Sequence, residues 1–183
     1  IGNLFGVELA LKKPKAIVDG IGYASLERAI AAAQTSPESL PEVKIVDAID
    51  FNCIDWTITR DMVISSTNSN PRLTPVMRKG SGFLRIAEGA NVILSNVCFQ
   101  VLGDEYPVVE VSTNAVCTLA GIADVEVIRV LNGGLIDISP SVDESCSFKV
   151  DTSDVAEGMH FAISDKTASE SDKFANLLVH LTD

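Results

Sequence analysis

The chain has 183 residues, a formal net charge of -11, and a composition that is 46% hydrophobic but only 5% aromatic. This length suits a single domain. The acidic balance argues against a nucleic-acid partner, which needs a basic surface, and against binding to anionic membranes. The apolar residues are mainly small or β-branched, which favours many short buried strands. Because residue 1 is Ile, we expect a processed or shortened chain.

The first predicted element is a helix that begins after Ser25. This serine is a suitable N-cap for residues 26–33, and Glu27 suits the positive end of the helix dipole. The apolar residues Leu26, Ala29, Ile30 and Ala33 share one face of the helix. Residues 35–37 end the helix, and residues 42–46 are predicted to form a strand.

Three copies of one pattern follow, each with an alternating strand, a bend containing Gly or Asn, and a second alternating strand. The copies span residues 84–95, 109–120 and 128–139. Gly and Asn tolerate the left-handed backbone that such bends need. A weaker copy lies at residues 56–65, and another is expected to begin at residues 148–150. A period of roughly 19–30 residues without a helix is the length of one coil of a β-solenoid.

Stacking of the copies would align equivalent residues in adjacent coils, about 4.8 Å apart. The predicted inward apolar column is Val92, Cys117 and Ile136. The predicted outward column, with charges of alternating sign, is Arg85, Glu110 and Arg129. The sequence therefore predicts an all-β fold: a right-handed parallel β-helix with one N-terminal capping α-helix. The alternative is an antiparallel sandwich or barrel, but such a fold has no need to repeat its corners.

The pattern divides the chain into four segments. Residues 1–15 are expected to be a leader or the end of a preceding module, and residues 16–42 the N-terminal strand and capping helix. Residues 43–155 form the coils, and residues 156–183 a last coil or a C-terminal cap with strands at 161–164 and 177–181.

The chain has four cysteines: Cys53, Cys98, Cys117 and Cys146. None has the two-residue spacing of a zinc or redox motif. Two disulfides are possible in a secreted protein, but we expect the cysteines to be small buried apolar residues.

Three segments, 16–20, 23–33 and 43–49, resemble a recurrent opening of bacterial surface proteins that continue into β-helix coils. Residues 89–97, Gly-Ala-Asn-Val-Ile-Leu-Ser-Asn-Val, are similar to coils of pectate-lyase-like and polymorphic-adhesin β-helices. The resemblance covers residues 16–139, is informative about architecture and implies little about activity. It also implies an exported protein, at the cell surface or outside the cell.

The sequence contains no motif for metal binding, phosphate binding or acyl transfer. Neither His160 nor His180 belongs to an H-E-x-x-H pattern, and there is no G-x-S-x-G motif or P-loop. His180 alternates with apolar residues and is predicted to face solvent from a strand. We therefore expect no catalytic residue, metal or cofactor.

Acidic residues are the candidates for a binding site: Asp104, Glu105, Glu110, Asp137, Asp143 and Glu144. Glycan hydrolysis needs two carboxylates about 5–9.5 Å apart, and a β-helix lyase needs a calcium cluster of oxygen ligands. The outward positions of the second strand supply only one acid, Asp137, and Glu110 is flanked by cations. An acid pair that converged in the structure would favour an enzyme.

These observations favour a non-catalytic extracellular surface module, an adhesin-like or stalk segment of a larger bacterial protein. Its expected partner is a glycan or a host or cell-surface protein, without nucleic-acid binding or direct membrane insertion. The alternative is a carbohydrate-binding or weakly carbohydrate-active β-helix, although Trp56 is predicted to lie in the core rather than on a sugar platform. A trimeric phage tail-fibre segment is a third possibility.

Overall fold

The computed structural model describes residues 2–4, 7–9, 13–51, 56–79, 82–101, 108–143, 146–151, 162–165 and 178–182. The described part of the protein is mostly β and forms a parallel β-solenoid of about 4 turns. The predicted solenoid is therefore confirmed, and its right-handed winding stays a prediction.

The strands in chain order are β1 (Gly2–Leu4), β2 (Val7–Leu9), β3 (Ala16–Val18), β4 (Ile21–Tyr23), β5 (Glu42–Ile45), β6 (Ile49–Phe51), β7 (Trp56–Ile58), β8 (Met62–Ser66), β9 (Val76–Arg78), β10 (Leu84–Ile86), β11 (Asn91–Val101), β12 (Val109–Val111), β13 (Val116–Val130), β14 (Leu135–Ile138), β15 (Ser147–Asp151), β16 (Ala162–Asp165) and β17 (Leu178–Thr182). Within the described residues the helices are α1 (Leu26–Thr35) and a short 3-10 helix (Pro71–Leu73).

The register of the coils is the one predicted from the repeat. Leu84 pairs with Val109, and Val109 with Ile128, all in parallel strands. The upstream copy follows the same register, since Trp56 pairs with Leu84. The antiparallel pairs among the described strands are confined to the N-terminal β1–β2, β3–β4 and β3–β5. The antiparallel sandwich is therefore excluded.

The inward column is also confirmed. Cys117 pairs with Val92 in the preceding coil and with Ile136 in the following coil. All three side chains have no exposed surface. Burial of such apolar side chains is the main favourable term in the folding of each coil.

The coils have three faces, whereas the repeat suggested two strands per coil. Face A contains residues 56–58, 84–86, 109–111 and 128–130. Face B contains residues 62–65, 92–95, 117–120 and 135–138. Face C contains residues 76–78, 97–101 and 123–125. The strands of face C merge into β11 and β13. The bends within these two strands are made by Asn96 (φ 51°) and Gly121 (φ 58°), and the side chain Oδ1 of Asn96 accepts a hydrogen bond from the Ile122 amide at 3.1 Å.

The corner between faces A and B uses the residues that the sequence indicated. Gly89, Asn114 and Gly133 all have positive φ, of 78°, 56° and 78°. These corners stack: the Gly89 amide donates to the Asn114 carbonyl at 3.3 Å, and the Asn114 amide to the Gly133 carbonyl at 3.1 Å. The left-handed residues therefore form a continuous edge of the solenoid.

Helix α1 lies at the N-terminal end of the stack and contacts strands β3 to β7. The Ser25 side chain accepts from the Arg28 amide at 3.4 Å, and the predicted apolar face is the buried one. The predicted capping helix is thus confirmed, and it extends to Thr35. Beyond it, Arg60 donates to the carbonyl oxygens of Ser36 at 2.9 Å and Glu38 at 2.5 Å. This arginine tethers the chain that leaves the helix.

The two last strands continue the solenoid in parallel. Strand β16 pairs with β14, and β17 with β15. They lie one residue further along the chain than predicted, and they favour a further coil over a separate cap. The register of β17 places His180 opposite Lys149.

Candidate surface of the solenoid

The outward column of face A is a ladder of charges. Arg85, Glu110 and Arg129 occupy consecutive rungs, as predicted, and Asp151 adds a fourth. The Nε of Arg85 lies 2.5 Å from Oε1 of Glu110, and the Nε of Arg129 lies 3.1 Å from Oδ2 of Asp151. Asp151 was not predicted from the sequence, although the copy that begins at Phe148 was a signal for it.

Glu110 was expected on the surface, and this expectation is wrong in one respect. Its position is outward, but the residue is only 4% exposed. The guanidinium of Arg85 contacts its carboxylate and also lies 5.1 Å from the centroid of the Phe83 ring. Long side chains on neighbouring rungs cover a shorter one between them, because rungs are so closely spaced. Glu110 is therefore a partner in an ion pair.

Asp137 lies on face B, opposite Thr118 in the preceding coil. These two outward residues are also buried, at 6% and 8% exposure. The Thr118 hydroxyl donates to Oδ1 of Asn91 at 3.2 Å, one coil further back. Face B thus carries a covered polar row instead of an open carboxylate.

Asp143 lies in the turn that follows β14, and its side chain is exposed. Its amide donates to the Gly121 carbonyl at 2.8 Å, and its carbonyl accepts from the Cys146 amide at 3.0 Å. The backbone of Asp143 therefore holds the corner of the coil.

The described candidate acids do not meet in one site: Glu110 lies on face A, Asp137 on face B and Asp143 in a turn. The other three candidates, Asp104, Glu105 and Glu144, lie outside the described residues. Within the described part of the chain, no group of three or more His, Cys, Asp or Glu residues is placed to hold a metal ion. No helix among those same residues has the length and apolar content to cross a membrane.

Three cysteines, Cys98, Cys117 and Cys146, are buried and free, as expected of small apolar residues. Burial raises the pKa of Cys117 to about 12. Burial, offset in part by a hydrogen bond from the Ala123 amide, raises the pKa of Cys146 to about 11. The fourth cysteine, Cys53, lies outside the described residues.

Two arginines were missed by the sequence analysis. Arg78 occupies an inward position between Phe51 and Val101, is 2% exposed, and donates from Nε to the Gly82 carbonyl at 2.5 Å. Its alternation with Val76 was the available signal. Arg72, in the 3-10 helix, lies 2.6 Å from Oδ2 of Asp124, and 52 residues separate the two in sequence. No local pattern predicts such a pair.

Comparisons of the chain with protein-family models, with curated proteins and with solved structures give no match.

Proposed function

We propose that this chain is a non-catalytic surface module, an adhesin-like or stalk segment of a larger exported bacterial protein. The observation that carries the proposal is the state of the outward carboxylates in the coils. Glu110 is held by Arg85 at 2.5 Å and is 4% exposed, and Asp137 is 6% exposed. A glycosidase carboxylate must reach the scissile bond of a polymer, and these two groups are covered.

The regularity of the coils supports a scaffolding role. Each coil contacts its neighbours through parallel strands, and its interior is filled by stacked apolar side chains. Stability in such an arrangement is a sum of coil and nearest-neighbour terms. The charge ladder of face A adds ion pairs between adjacent coils, each worth about 0–1 kcal/mol where the partners are partly exposed.

Aromatic residues give little support to the carbohydrate-binding alternative. Sugar sites use exposed rings, but Trp56 and Tyr23 are partly buried and pack against the core. The glycan-binding function therefore ranks second.

Glycan cleavage is the experiment that tests the proposal. The protein is incubated with polygalacturonate, with hyaluronan and with a neutral glucan, and new reducing ends and unsaturated products are measured. We expect no cleavage by the wild-type protein. Cleavage that is lost in Glu110→Gln or Asp137→Asn, while an Asp143→Asn control retains it and all variants stay folded, would overturn the proposal. Retention of an uncleaved glycan on the protein would instead favour the second function.

A further inference from the structure

Residues 67–75, between β8 and β9, form a segment that we call the strap. Its two ends lie close together and form its base. The hydroxyls of Ser66 and Thr74 lie 2.9 Å apart across the base. The Thr67 amide donates to the Ile45 carbonyl at 3.0 Å. Inside the strap, Asn70 caps the 3-10 helix by accepting from the Arg72 amide at 3.2 Å. These bonds make the strap a compact unit with its own internal structure.

The strap reaches across β11 on the outer side of face C. It is followed by Val76, which pairs with Phe99 of β11. On the other side of β11, Cys98 pairs with Asp124 of β13. The 3-10 helix contacts β11, and Arg72 at its centre reaches Asp124 at 2.6 Å. The ion pair therefore joins the coil before β11 to the coil after it.

Cys98 lies where the strap crosses. Its neighbours Val97 and Phe99 belong to the core, so strand alternation directs Cys98 outward. An outward residue on an uncovered sheet is accessible to solvent, but Cys98 is only 3% exposed. Burial raises the pKa of this thiol, and Asp124 raises it further. Its pairing with Asp124 and its low exposure place Cys98 beside the ion pair, beneath a covering layer.

At the tip of the strap, apolar burial is limited to Pro71. Leu73 is 69% exposed, and the Arg72 side chain is 45% exposed, whereas the Asp124 side chain is 14% exposed. Segments with little apolar burial open at lower free energy than the core of the same protein. The charge pair thus has a large share in holding the tip against β13.

We infer that the strap opens on its base when the ion pair between Arg72 and Asp124 breaks, and that opening exposes the outer side of β11 around Cys98 while the coils stay stacked. The fold then contains a conformational device that uncovers part of face C. This inference is independent of the proposed surface function.

The test measures how fast a maleimide labels Cys98. Labelling is followed near neutral pH by peptide mass mapping. All variants carry Cys53→Ser, so that the thiols present are those of Cys98, Cys117 and Cys146. Arg72→Gln is expected to speed labelling of Cys98 up to about fivefold, which corresponds to the loss of roughly 1 kcal/mol for a partly exposed pair. Cys117 in the core is the internal control and should stay unlabelled.

A matched control is Lys79→Gln, which removes a cation as exposed as Arg72 from its pair with Asp50 at 2.8 Å, outside the strap. It should leave the labelling of Cys98 unchanged. Sodium chloride at about 1 M shortens the screening length to roughly 3 Å. It should therefore speed the labelling of Cys98 in the wild type but not in Arg72→Gln. This difference in salt response is expected even if the variant is less stable than the wild type. Unchanged labelling in Arg72→Gln, or equal acceleration of Cys98 and Cys117, would overturn the inference.

Discussion

Replacement of Val92 by Asn tests the inward column directly. Val92 has no exposed surface and lies in register with Met62 and Cys117, so no water reaches the side chain. The neighbouring residue in the same strand, Ile93, lies on the outward side and is partly buried. The pair therefore offers the same substitution on two sides of one sheet.

The expected magnitude follows from burial. Loss of a fully buried valine costs about 1.5–3 kcal/mol in transfer free energy. An amide left without partners in an apolar column costs a further ~1–3 kcal/mol. Val92→Asn should therefore lower the free energy of unfolding by about 2.5–6 kcal/mol, a large part of the roughly 5–15 kcal/mol that is typical of a domain. Ile93→Asn should cost about 1 kcal/mol, because water can solvate its amide.

Urea denaturation followed by far-ultraviolet circular dichroism measures both values. We expect a much lower urea midpoint for Val92→Asn than for Ile93→Asn. Equal midpoints, or a larger loss at Ile93, would refute the assignment of the two sides of this strand.

Three further predictions concern single residues. The folded-state pKa of Cys117 is raised to about 12, so the contribution of its neutral thiol to the free energy of unfolding is complete below about pH 9 and is lost as pH rises toward 12, by up to about 1.4 kcal/mol per pH unit. In urea titrations at increasing pH, the free energy of unfolding should therefore fall less steeply in Cys117→Val than in the wild type. An identical fall would contradict the burial of this thiol. Asn114 has a φ of 56°, so Asn114→Ala should lower the free energy of unfolding in urea by about 1 kcal/mol, whereas Asn114→Gly should not. Equal effects of the two substitutions would show that backbone strain is not involved. Arg60→Ala should lower the free energy of unfolding by about 1–2 kcal/mol because it removes charge-assisted hydrogen bonds to carbonyl oxygens beyond α1. In thermal unfolding, the stability of Arg60→Lys should lie between those of the wild type and Arg60→Ala. Unchanged stability in Arg60→Ala would mean that these hydrogen bonds are dispensable.

The register of the coils was predictable because local and global signals agree. Alternation with period two determines which side of a strand is buried. Gly89, Asn114 and Gly133 mark the same corner in successive coils and fix the pairing of the strands that follow. The alternation and the repeated corner together are enough to predict the column of Val92, Cys117 and Ile136.

Face C was not predictable from the same signals. Asn96 and Gly121 bend β11 and β13 without interrupting the strand pattern, so each pair of strands looks like one. The pair of Arg72 with Asp124 joins residues that only the stacking of the coils brings together. The burial of Glu110 depends on the long side chains of adjacent rungs, and their packing is a tertiary property. For these reasons the candidate acids were located by face but not by accessibility.

The central claim is that residues 84–86, 109–111 and 128–130 are successive parallel rungs of one solenoid. Nuclear Overhauser effects from the backbone amides of residues 109–111 in the isotope-labelled chain test it most directly. A parallel solenoid predicts contacts in parallel register to both residues 84–86 and residues 128–130, with Glu110 between Arg85 and Arg129. Contacts to one neighbour only, or in antiparallel register, would contradict it.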